Sequence, residues 1–268
     1  MKGICILGGG NIGRAIVEGL LCTGSYRPED ITITRRNHQL LDELKGRGIR
    51  TGNDNKAAVS SSEIILLAVQ PGQASELIEG IRSETDPRKH LVISVVASLE
   101  TKKIRELFGK KVPVIRVMPN TAISICESMT CIARDESDSQ HIDRVKALFD
   151  QMGSTIVIDE SLMKAATIIG ACGIAFFLRS IRAASQGGIQ VGFHAHEAQL
   201  IASQTARGAA SILLQTGMHP EDEIDKVTTP RGCTIAGLNE MEHNGFSSAL
   251  IKGIVTSFDK LDQLVDED

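Results

Sequence analysis

Short apolar segments alternate with longer amphipathic segments along the first 158 residues. The apolar segments are rich in β-branched residues and bounded by Gly, Pro, Asp or Asn, which is typical of buried strands in a parallel sheet. They are Gly3–Leu7, Ile31–Thr34, Ile64–Val69, Leu91–Val95, Val112–Val117, Met129–Ala133 and Ile156–Ile158. Helical spacing appears between them, for example at Gly13–Leu21, Gln39–Lys45, Ala74–Ile81 and Asp138–Met152. This alternation predicts an α/β fold built on a doubly wound sheet.

The pattern changes after Asp159, which together with Ser161 can cap a helix. Four stretches then have helical spacing and no strand pattern: 161–185, 194–216, 232–243 and 247–264. Breaks are expected at Gly187-Gly188, Gly217 to Pro220, Thr229-Pro230 and Gly245. We therefore expect an N-terminal Rossmann-like domain, residues 1–158, followed by an all-helical C-terminal domain, residues 159–268.

The run Ala165–Leu178 carries apolar residues nearly all round a helix, so it needs packing partners on every side. We expect it to be buried between subunits, which makes the helical domain a dimerisation domain and a homodimer or larger homo-oligomer the working unit. A helix at the centre of a monomeric bundle is the alternative. At 14 residues the run is shorter than a bilayer span, which needs about 20.

A glycine-rich loop follows the first predicted strand and opens a predicted helix. It contains the spacing GxGxxG as Gly8, Gly10 and Gly13, with Asn11 and Ile12 between. The glycines permit a tight turn, a close approach of backbone to a pyrophosphate, and close helix–strand packing, while the helix start offers unpaired N–H groups. The strand–loop–helix context predicts dinucleotide binding; a glycine-rich turn without a ligand is the alternative.

The end of the second predicted strand indicates which dinucleotide is bound. An NAD site usually carries an acidic residue there, whereas this chain has Thr34-Arg35-Arg36-Asn37. Because a guanidinium pairs with a 2′-phosphate that a carboxylate would repel, we expect NADP(H), with Arg35 and Arg36 as its phosphate partners. The alternative is that one or both arginines only face solvent.

Composition limits the kinds of ligand and the cellular location that we expect. The net charge of −4 provides no basic field for nucleic acid or an anionic membrane. With 3% aromatic residues and no Trp, a stacking platform for bases is not expected. The six cysteines lack zinc-like spacing, and no cleavable apolar segment opens the chain. We expect a soluble cytoplasmic protein that binds a small molecule, with no metal.

Three further segments stand where strand ends or helix starts would face a ligand. They are Ala68-Val69-Gln70-Pro71, the run RVMPNTA from Arg116 to Ala122, and the run VTTPRGCTIAG from Val227 to Gly237. The third predicts a helix start with Thr229 as N-cap and Pro230 at the first helical position. Its free N–H groups and the hydroxyls of Thr229 and Thr234 would form a cradle for a small carboxylate.

These motifs resemble the pyrroline-5-carboxylate reductase family along essentially the whole chain. The runs RVMPNT and TTPRGCTIAGLNEME carry the resemblance most specifically, and the glycine loop much less. It implies NADPH-dependent reduction of the C=N bond of Δ1-pyrroline-5-carboxylate to L-proline, the last step of proline biosynthesis. It also implies a Rossmann-like domain followed by an interlocked helical dimer.

The resemblance implies roles for individual residues. Thr234 and Thr229 match the hydroxyls near the substrate, and we expect Thr234 to hydrogen-bond the ring nitrogen. Gly232 and Cys233 would lend N–H groups to the substrate carboxylate. The remaining matches border the cofactor or its nicotinamide and are Ala68, Val69, Gln70, Pro71, Ala97, Met118 and Asn120, the last also facing the substrate.

The chain departs from the family pattern at three places. The usual SGPAY segment is replaced within Ala171–Phe176, which removes its Pro and its Tyr. Arg231 stands where a Gly is usual, and we expect it either to pair with an anion or to point to solvent. Gln70 replaces a frequent Lys, which removes one positive contact.

Other functions are compatible with parts of the sequence. His194 and His196 resemble metal ligands, but on a helix their i and i+2 spacing would place them on different faces. Cys233 could be a reactive thiol at a helix start, although a small packing residue is favoured. A β-hydroxyacid dehydrogenase would carry a catalytic Lys in the stretch after Gly170, where none stands. A reductase of a related cyclic imine acid and a non-catalytic NADP-binding regulatory protein both stay open.

Overall fold

A computed structural model describes residues 3–134 and 139–266 of the chain. Within these residues, eight strands form one sheet in the order β3-β2-β1-β4-β5-β6-β7-β8. All neighbouring strands are parallel except β6 and β7. The strands are β1 Gly3–Leu7, β2 Ile31–Thr34, β3 Arg50–Gly52, β4 Ser62–Leu67, β5 Leu91–Ser94, β6 Val114–Met118, β7 Ser128–Arg134 and β8 Gly153–Asp159.

Twelve α-helices are found in the same described residues. They are α1 Asn11–Cys22, α2 Asp42–Gly46, α3 Asn55–Ser60, α4 Pro71–Ile81, α5 Thr101–Phe108, α6 Ser139–Phe149, α7 Met163–Ala166, α8 Gly173–Gln190, α9 Ala195–Thr216, α10 Pro220–Val227, α11 Cys233–His243 and α12 Phe246–Asp266. A π-helical segment, Thr167–Cys172, joins α7 to α8. Short 3₁₀ turns are formed by Pro28–Asp30, His38–Leu41, Thr121–Ile125, Asp150–Met152 and Glu160–Leu162.

The sheet is buried on both faces because successive strand residues point to opposite sides. Ile4 and Ile6 of β1 pack in one core that includes Leu20 of α1. Cys5, between them, packs in the opposite core with Phe108 of α5. Burial raises the pKa of the Cys5 thiol to about 12, so this cysteine is an inert core residue. The doubly wound sheet inferred from the apolar segments is confirmed.

The sequence located most of the strands but not all the elements. The first two strands have the predicted bounds, and the later ones shift by a few residues. The edge strand β3 was missed because three residues, Arg50, Thr51 and Gly52, carry no apolar run. The helices α3 and α5 were not among the example helices named from the sequence. Asp138, where the fourth example helix was expected to begin, lies outside the described residues.

The described chain divides into two compact units. One comprises the chain up to Cys172 together with the residues from Phe258 onward, and the other is 173–257. The expected domain boundary, 158/159, falls at the end of β8. Asp159 accepts a hydrogen bond from the N–H of Ser161 at 2.9 Å, which caps the 3₁₀ turn that follows. No strand appears in the described residues after Asp159, which confirms the helical second half.

The second unit differs from the sequence prediction at two places. Helix α8 runs through Gly187-Gly188 to Gln190, so the expected break is wrong. A Cβ on Gly188 would lie 3.0 Å from the Cβ of Ala198 in α9, which shows that glycine here permits close helix packing. Helix α10 was not predicted, although Pro220 at its start and three acidic residues in its first turn are favourable signals.

The apolar run Ala165–Leu178 is helical and only partly buried within the single chain, where Thr167 and Ile168 are buried. Phe177 is 64% exposed, and Ile169 and Leu178 are exposed to a similar extent. The continuous helical run Glu160–Gln190 is long and apolar enough to cross a membrane by length and composition alone, so the argument from a short apolar run does not hold. Large exposed apolar surfaces commonly mark sites where proteins or membranes bind.

Candidate active site

The glycine loop between β1 and α1 has three different environments at its three glycines. Gly8 has a φ of +122°, and a Cβ there would lie 2.2 Å from the carbonyl oxygen of Ala68. A Cβ on Gly13 would lie 2.0 Å from the carbonyl oxygen of Gly8. A Cβ on Gly10 would meet nothing within 4 Å. The first glycine therefore makes the turn, the third permits close packing, and the second leaves open space for a ligand.

A cleft of approximately 770 Å³ opens beside this loop. It lies at the carboxyl ends of β1, β2 and β4, where the strand order reverses and ligands bind in sheets of this type. It brings together half of the expected cofactor residues, namely Gly8, Gly10, Arg35, Arg36, Ala68, Val69 and Gln70. Asn11, Ile12 and Gly13 form the first turn of α1, and Pro71 is the first residue of α4.

The two arginines at this cleft have different environments. The Arg35 guanidinium donates through Nη1 to the carbonyl oxygen of Gly9 at 2.8 Å, so it braces the glycine loop. Arg36 is exposed and donates to the carboxylate of Glu76 on α4 at 3.2 Å. Both line the cleft, as the sequence predicts for partners of a 2′-phosphate. Arg36 is the one whose guanidinium is exposed and held only by a surface ion pair.

Sequence reasoning missed the third wall of the cleft. Asn53, Asn55 and Lys56 also line it. Thr34 donates through Oγ1 to Oδ1 of Asn55 at 2.6 Å, which ties the end of β2 to the start of α3. The signal was present, because Asp54 is a typical N-cap and accepts from the N–H of Ala57 at 3.0 Å. Lys56 adds a second exposed cation to Arg36.

Ala97, Met118 and Asn120 are not among the residues that line this cleft. They follow or end β5 and β6, farther along the same edge of the sheet. Met118 is buried against Cys131 and Met163, and Ala97 packs on that cluster. Asn120 is also buried. The structure therefore packs Ala97 and Met118 in one cluster at the ends of β5 and β6, and none of the three residues lines the glycine-loop cleft.

The segment from Thr228 to Cys233 differs from the predicted helix start. Helix α11 begins at Cys233 with Gly232 as N-cap, so Thr229 and Pro230 lie before the helix. Thr229 instead accepts at its carbonyl oxygen from the N–H of Gly232 at 2.8 Å, which closes a turn. Arg231 within this turn has a φ of +60°, the left-handed region that a Gly adopts more easily. The expectation of Thr229 as N-cap is therefore wrong.

The corrected helix start keeps the features of an anion site. No side chain caps α11, and its first turn contains no acidic residue. The N–H groups of that turn therefore face outward with the partial positive charge of the helix. Thr229, Cys233 and Thr234 are exposed there. A Cβ on Gly232 would lie 2.4 Å from Oγ1 and 3.0 Å from the carbonyl oxygen of Thr229, so the glycine leaves room for Thr229 in this turn.

No group of three or more potential metal ligands exists within residues 3–134 and 139–266. His194 is the N-cap of α9 and not part of the helix, so the expectation that His194 and His196 face apart is wrong. Their rings stack with centroids 6.3 Å apart. Glu197 accepts from the N–H of His194 at 3.0 Å, which makes this segment a helix cap.

Comparisons with known proteins match both halves of the chain. Residues 160–264 match the family model "Pyrroline-5-carboxylate reductase dimerisation", and residues 3–98 match "NADP oxidoreductase coenzyme F420-dependent". A crystal structure of Plasmodium falciparum pyrroline carboxylate reductase with NADP bound has a TM-score of 0.87. It covers 97% of this chain and 96% of that chain at 22% identity, a likeness of fold.

Two relatives from Dictyostelium discoideum are more similar in sequence. Pyrroline-5-carboxylate reductase 1 is 46% identical over 97% of this chain, and the chain spans 49% of that protein's length. Pyrroline-5-carboxylate reductase 2 is 43% identical over 97% of this chain and 92% of its own length. The region matched to the dimerisation model includes the exposed apolar residues Ile169, Phe177 and Leu178. The chain belongs to the pyrroline-5-carboxylate reductase family.

Proposed function

We propose that this chain catalyses the NADPH-dependent reduction of the C=N bond of Δ1-pyrroline-5-carboxylate to L-proline, the last step of proline biosynthesis. The observation that carries the proposal is the pairing of a glycine-loop cleft with an uncapped helix start in one chain. That chain is 43% identical to a protein named for this reaction, over 92% of its length.

The residues of the cleft fit a dinucleotide. Gly8, Gly10 and the first turn of α1, Asn11 to Gly13, would hold the pyrophosphate through backbone N–H groups, and the open space at Gly10 supports this. Arg35 and Arg36 would hold the 2′-phosphate, and the NADP in the Plasmodium structure supports the choice of dinucleotide. The remaining cofactor residues in the proposal are Ala68, Val69, Gln70, Pro71, Ala97, Met118 and Asn120. When bound, NADPH supplies the hydride.

The helix start at Cys233 would hold the substrate. The N–H groups of Gly232 and Cys233 would receive the carboxylate, and the hydroxyls of Thr229 and Thr234 would complete the site. Asn120 is proposed at its border. Thr234 would hydrogen-bond the ring nitrogen of the substrate. This nitrogen belongs to an imine that is basic enough to be partly protonated near neutral pH. Orientation of the ring is then the main task of the protein and can contribute up to about 7–11 kcal/mol.

The proposal also covers the domain boundaries, the oligomeric state and the cellular location of the protein. Residues 1–158 form the NADP-binding domain and residues 159–268 the substrate and dimerisation domain. The chain works as a soluble cytoplasmic homodimer or larger homo-oligomer. The family match at 160–264 supports the dimerisation assignment.

The test is NADPH oxidation at 340 nm with pyrroline-5-carboxylate, run beside NADH and a six-membered cyclic imine acid. We expect fastest turnover with NADPH and the five-membered ring. Thr234→Ala should lower kcat/KM by about ten- to a hundredfold, since a hydrogen bond to a charged group contributes about 1.5–3 kcal/mol. Thr216→Ala, which removes an exposed threonine hydroxyl of α9, is the control.

Each outcome of this assay decides between functions. Unchanged kinetics in Thr234→Ala would refute the assigned role of that hydroxyl. Preference for the six-membered ring would identify a related imine acid as substrate. Tight NADPH binding with no turnover of either imine would favour a regulatory protein.

A further inference from the structure

Arg116 of β6 is a buried arginine that holds two other segments. Its side chain is 5% exposed. Nη1 donates to Oε1 of Glu160 at 2.9 Å, and Nη2 donates to the carbonyl oxygen of Ala97 at 3.0 Å. The planar guanidinium therefore joins the segment after β5 to the segment after β8 through two bonds of fixed relative direction.

Glu160 extends the connection to a helix start. Its Oε1 also accepts from the N–H and the Oγ1 of Thr101, both at 2.8 Å. The residue at the N-cap of α5, Glu100, makes no side-chain cap of its own. Glu160 therefore caps α5 from 59 residues away. Although partial burial acts to raise the pKa of Glu160, the bonds from Thr101 and Arg116 outweigh it and lower the pKa below its usual value.

These bonds fix the loop after β5 near its middle and at its end. Ala97 is held by its carbonyl oxygen and Thr101 by its N–H. In the sheet, β5 lies on the other side of β4 from the glycine-loop strand β1, while β2 and its arginines lie on the opposite side. A dinucleotide whose phosphates sit at Gly8–Gly13 and whose 2′-phosphate sits at β2 must extend its other half toward β5.

The ion pair is a weak source of stability. Desolvation of two charges offsets most of their attraction, and apolar side chains of similar volume often serve stability equally well. Arg116 also keeps a buried Nε without a hydrogen-bond partner among the described residues, a further cost. The presence of the Arg116 guanidinium at this buried position is therefore better explained by the conformation in which it holds the loop after β5.

We propose that Arg116 and Glu160 are positioning residues that hold the loop 95–100 against the nicotinamide half of NADPH without touching the cofactor. The inference rests on the proposed function only for the identity of the dinucleotide. It predicts that loss of the pair weakens the nicotinamide half of the site and leaves the adenosine half unchanged.

The experiment compares two ligands in full-length Arg116→Met. NADPH carries the nicotinamide, and 2′,5′-ADP carries only the phosphorylated adenosine. We expect the Kd of NADPH to rise at least fivefold and that of 2′,5′-ADP to stay within twofold. Arg116→Lys, which keeps the charge but not the fork, should recover part of the NADPH affinity. Arg144→Met is the control, because the Arg144 side chain, which pairs with Glu63, is 50% exposed.

The outcomes separate this inference from the function. Equal weakening of both ligands, or unchanged NADPH binding, would overturn it. If Arg116→Met does not fold, the Kd values of NADPH and 2′,5′-ADP are compared in Glu160→Gln and Thr101→Val instead. The same outcomes then support or overturn the inference. Absence of imine reduction by the unaltered protein would defeat the proposed function, while the two-ligand comparison would still decide the positioning role.

Discussion

The side-chain amide of Asn120 donates to the carbonyl oxygen of Gly170 at 3.0 Å. Its Oδ1 accepts from the N–H of Ala122 at 3.0 Å, so one side chain also caps the turn Thr121–Ile125. Gly170 lies in the π-helical segment Thr167–Cys172, where the usual helical bonding is shifted. Asn120 thus joins the RVMPNTA motif to Gly170, the residue just before the segment Ala171–Phe176 that departs from SGPAY. Its amide is engaged within the protein on both atoms.

Replacing Asn120 should therefore affect stability before binding. Asn120→Ala removes a cap and leaves the Gly170 carbonyl without this donor, and we expect a loss of about 2 kcal/mol in the free energy of unfolding. Urea unfolding measures it. Asn37→Ala, at an exposed position, is the control. Unchanged stability with reduced turnover would instead show that Asn120 acts mainly on the ligands.

The glycine loop gives a matched pair of variants. Gly10→Ala places its methyl group in open space, so the protein should fold with an unchanged Tm but bind NADPH at least tenfold more weakly. Gly8→Ala forces a Cβ to within 2.2 Å of a backbone oxygen and should reduce the folded yield. Thermal unfolding and NADPH titration check both. Full NADPH affinity in Gly10→Ala would place the pyrophosphate elsewhere.

Sequence patterns predicted the sheet because strands buried on both faces must be apolar throughout, as at Ile64–Leu67. They missed β3 because an edge strand of three residues needs no such run. They placed a break at Gly187-Gly188 because a glycine pair usually interrupts a helix. Only the packing of Gly188 on Ala198 shows why this one does not.

The site was predictable where local chain geometry decides it and not where distant residues decide it. The spacing of Gly8, Gly10 and Gly13 encodes the turn itself. The ion pair between Arg116 and Glu160 joins residues 44 positions apart and leaves no local signal. The helix starts at Cys233 and not at Pro230, and Arg231 just before it has a positive φ, which no local propensity of an arginine predicts.

Arg36 should decide the preference for NADPH over NADH. Its guanidinium pairs with Glu76 at the surface, a weak bond that a 2′-phosphate can replace. We expect Arg36→Ala to raise the KM of NADPH by roughly tenfold and to leave that of NADH within twofold. Glu76→Gln removes the competing carboxylate and should lower the KM of NADPH. Equal effects on both cofactors in Arg36→Ala would assign the phosphate to Arg35 or Lys56.

His90 should make stability depend on pH. It is buried, and Nδ1 accepts from the N–H of Asp86 at 2.8 Å. Burial and the nearby Lys89 charge lower the pKa of His90 below its usual value. A lowered pKa means that the unfolded chain takes up the proton first, so this contribution is complete above about pH 6.5 and is lost as the pH falls through the folded pKa.

The measurement is urea unfolding between pH 5 and 8. As the pH is lowered from 8 to 5, the free energy of unfolding of the unaltered protein should decrease. The decrease should be smaller in His90→Gln. His38→Gln, at an exposed position, should keep the native pH dependence. An identical slope in His90→Gln would show that other groups, such as carboxylates, govern this range.

The exposed apolar surface of the helical half should hold subunits together. Phe177 and Leu214 are 64% and 84% exposed in the single chain, and both lie within the region matched to the dimerisation model. A charge placed there would have to be desolvated at the interface, so Phe177→Asp and Leu214→Asp should lower the mass measured by light scattering to that of a monomer. Leu40→Asp alters a side chain that is 49% exposed in the Rossmann-like half and should leave the assembly intact. Because removal of the partner leaves a large apolar face in water, we also expect the two monomeric variants to aggregate at high concentration. If both variants keep the intact assembly, the interface lies on other helices.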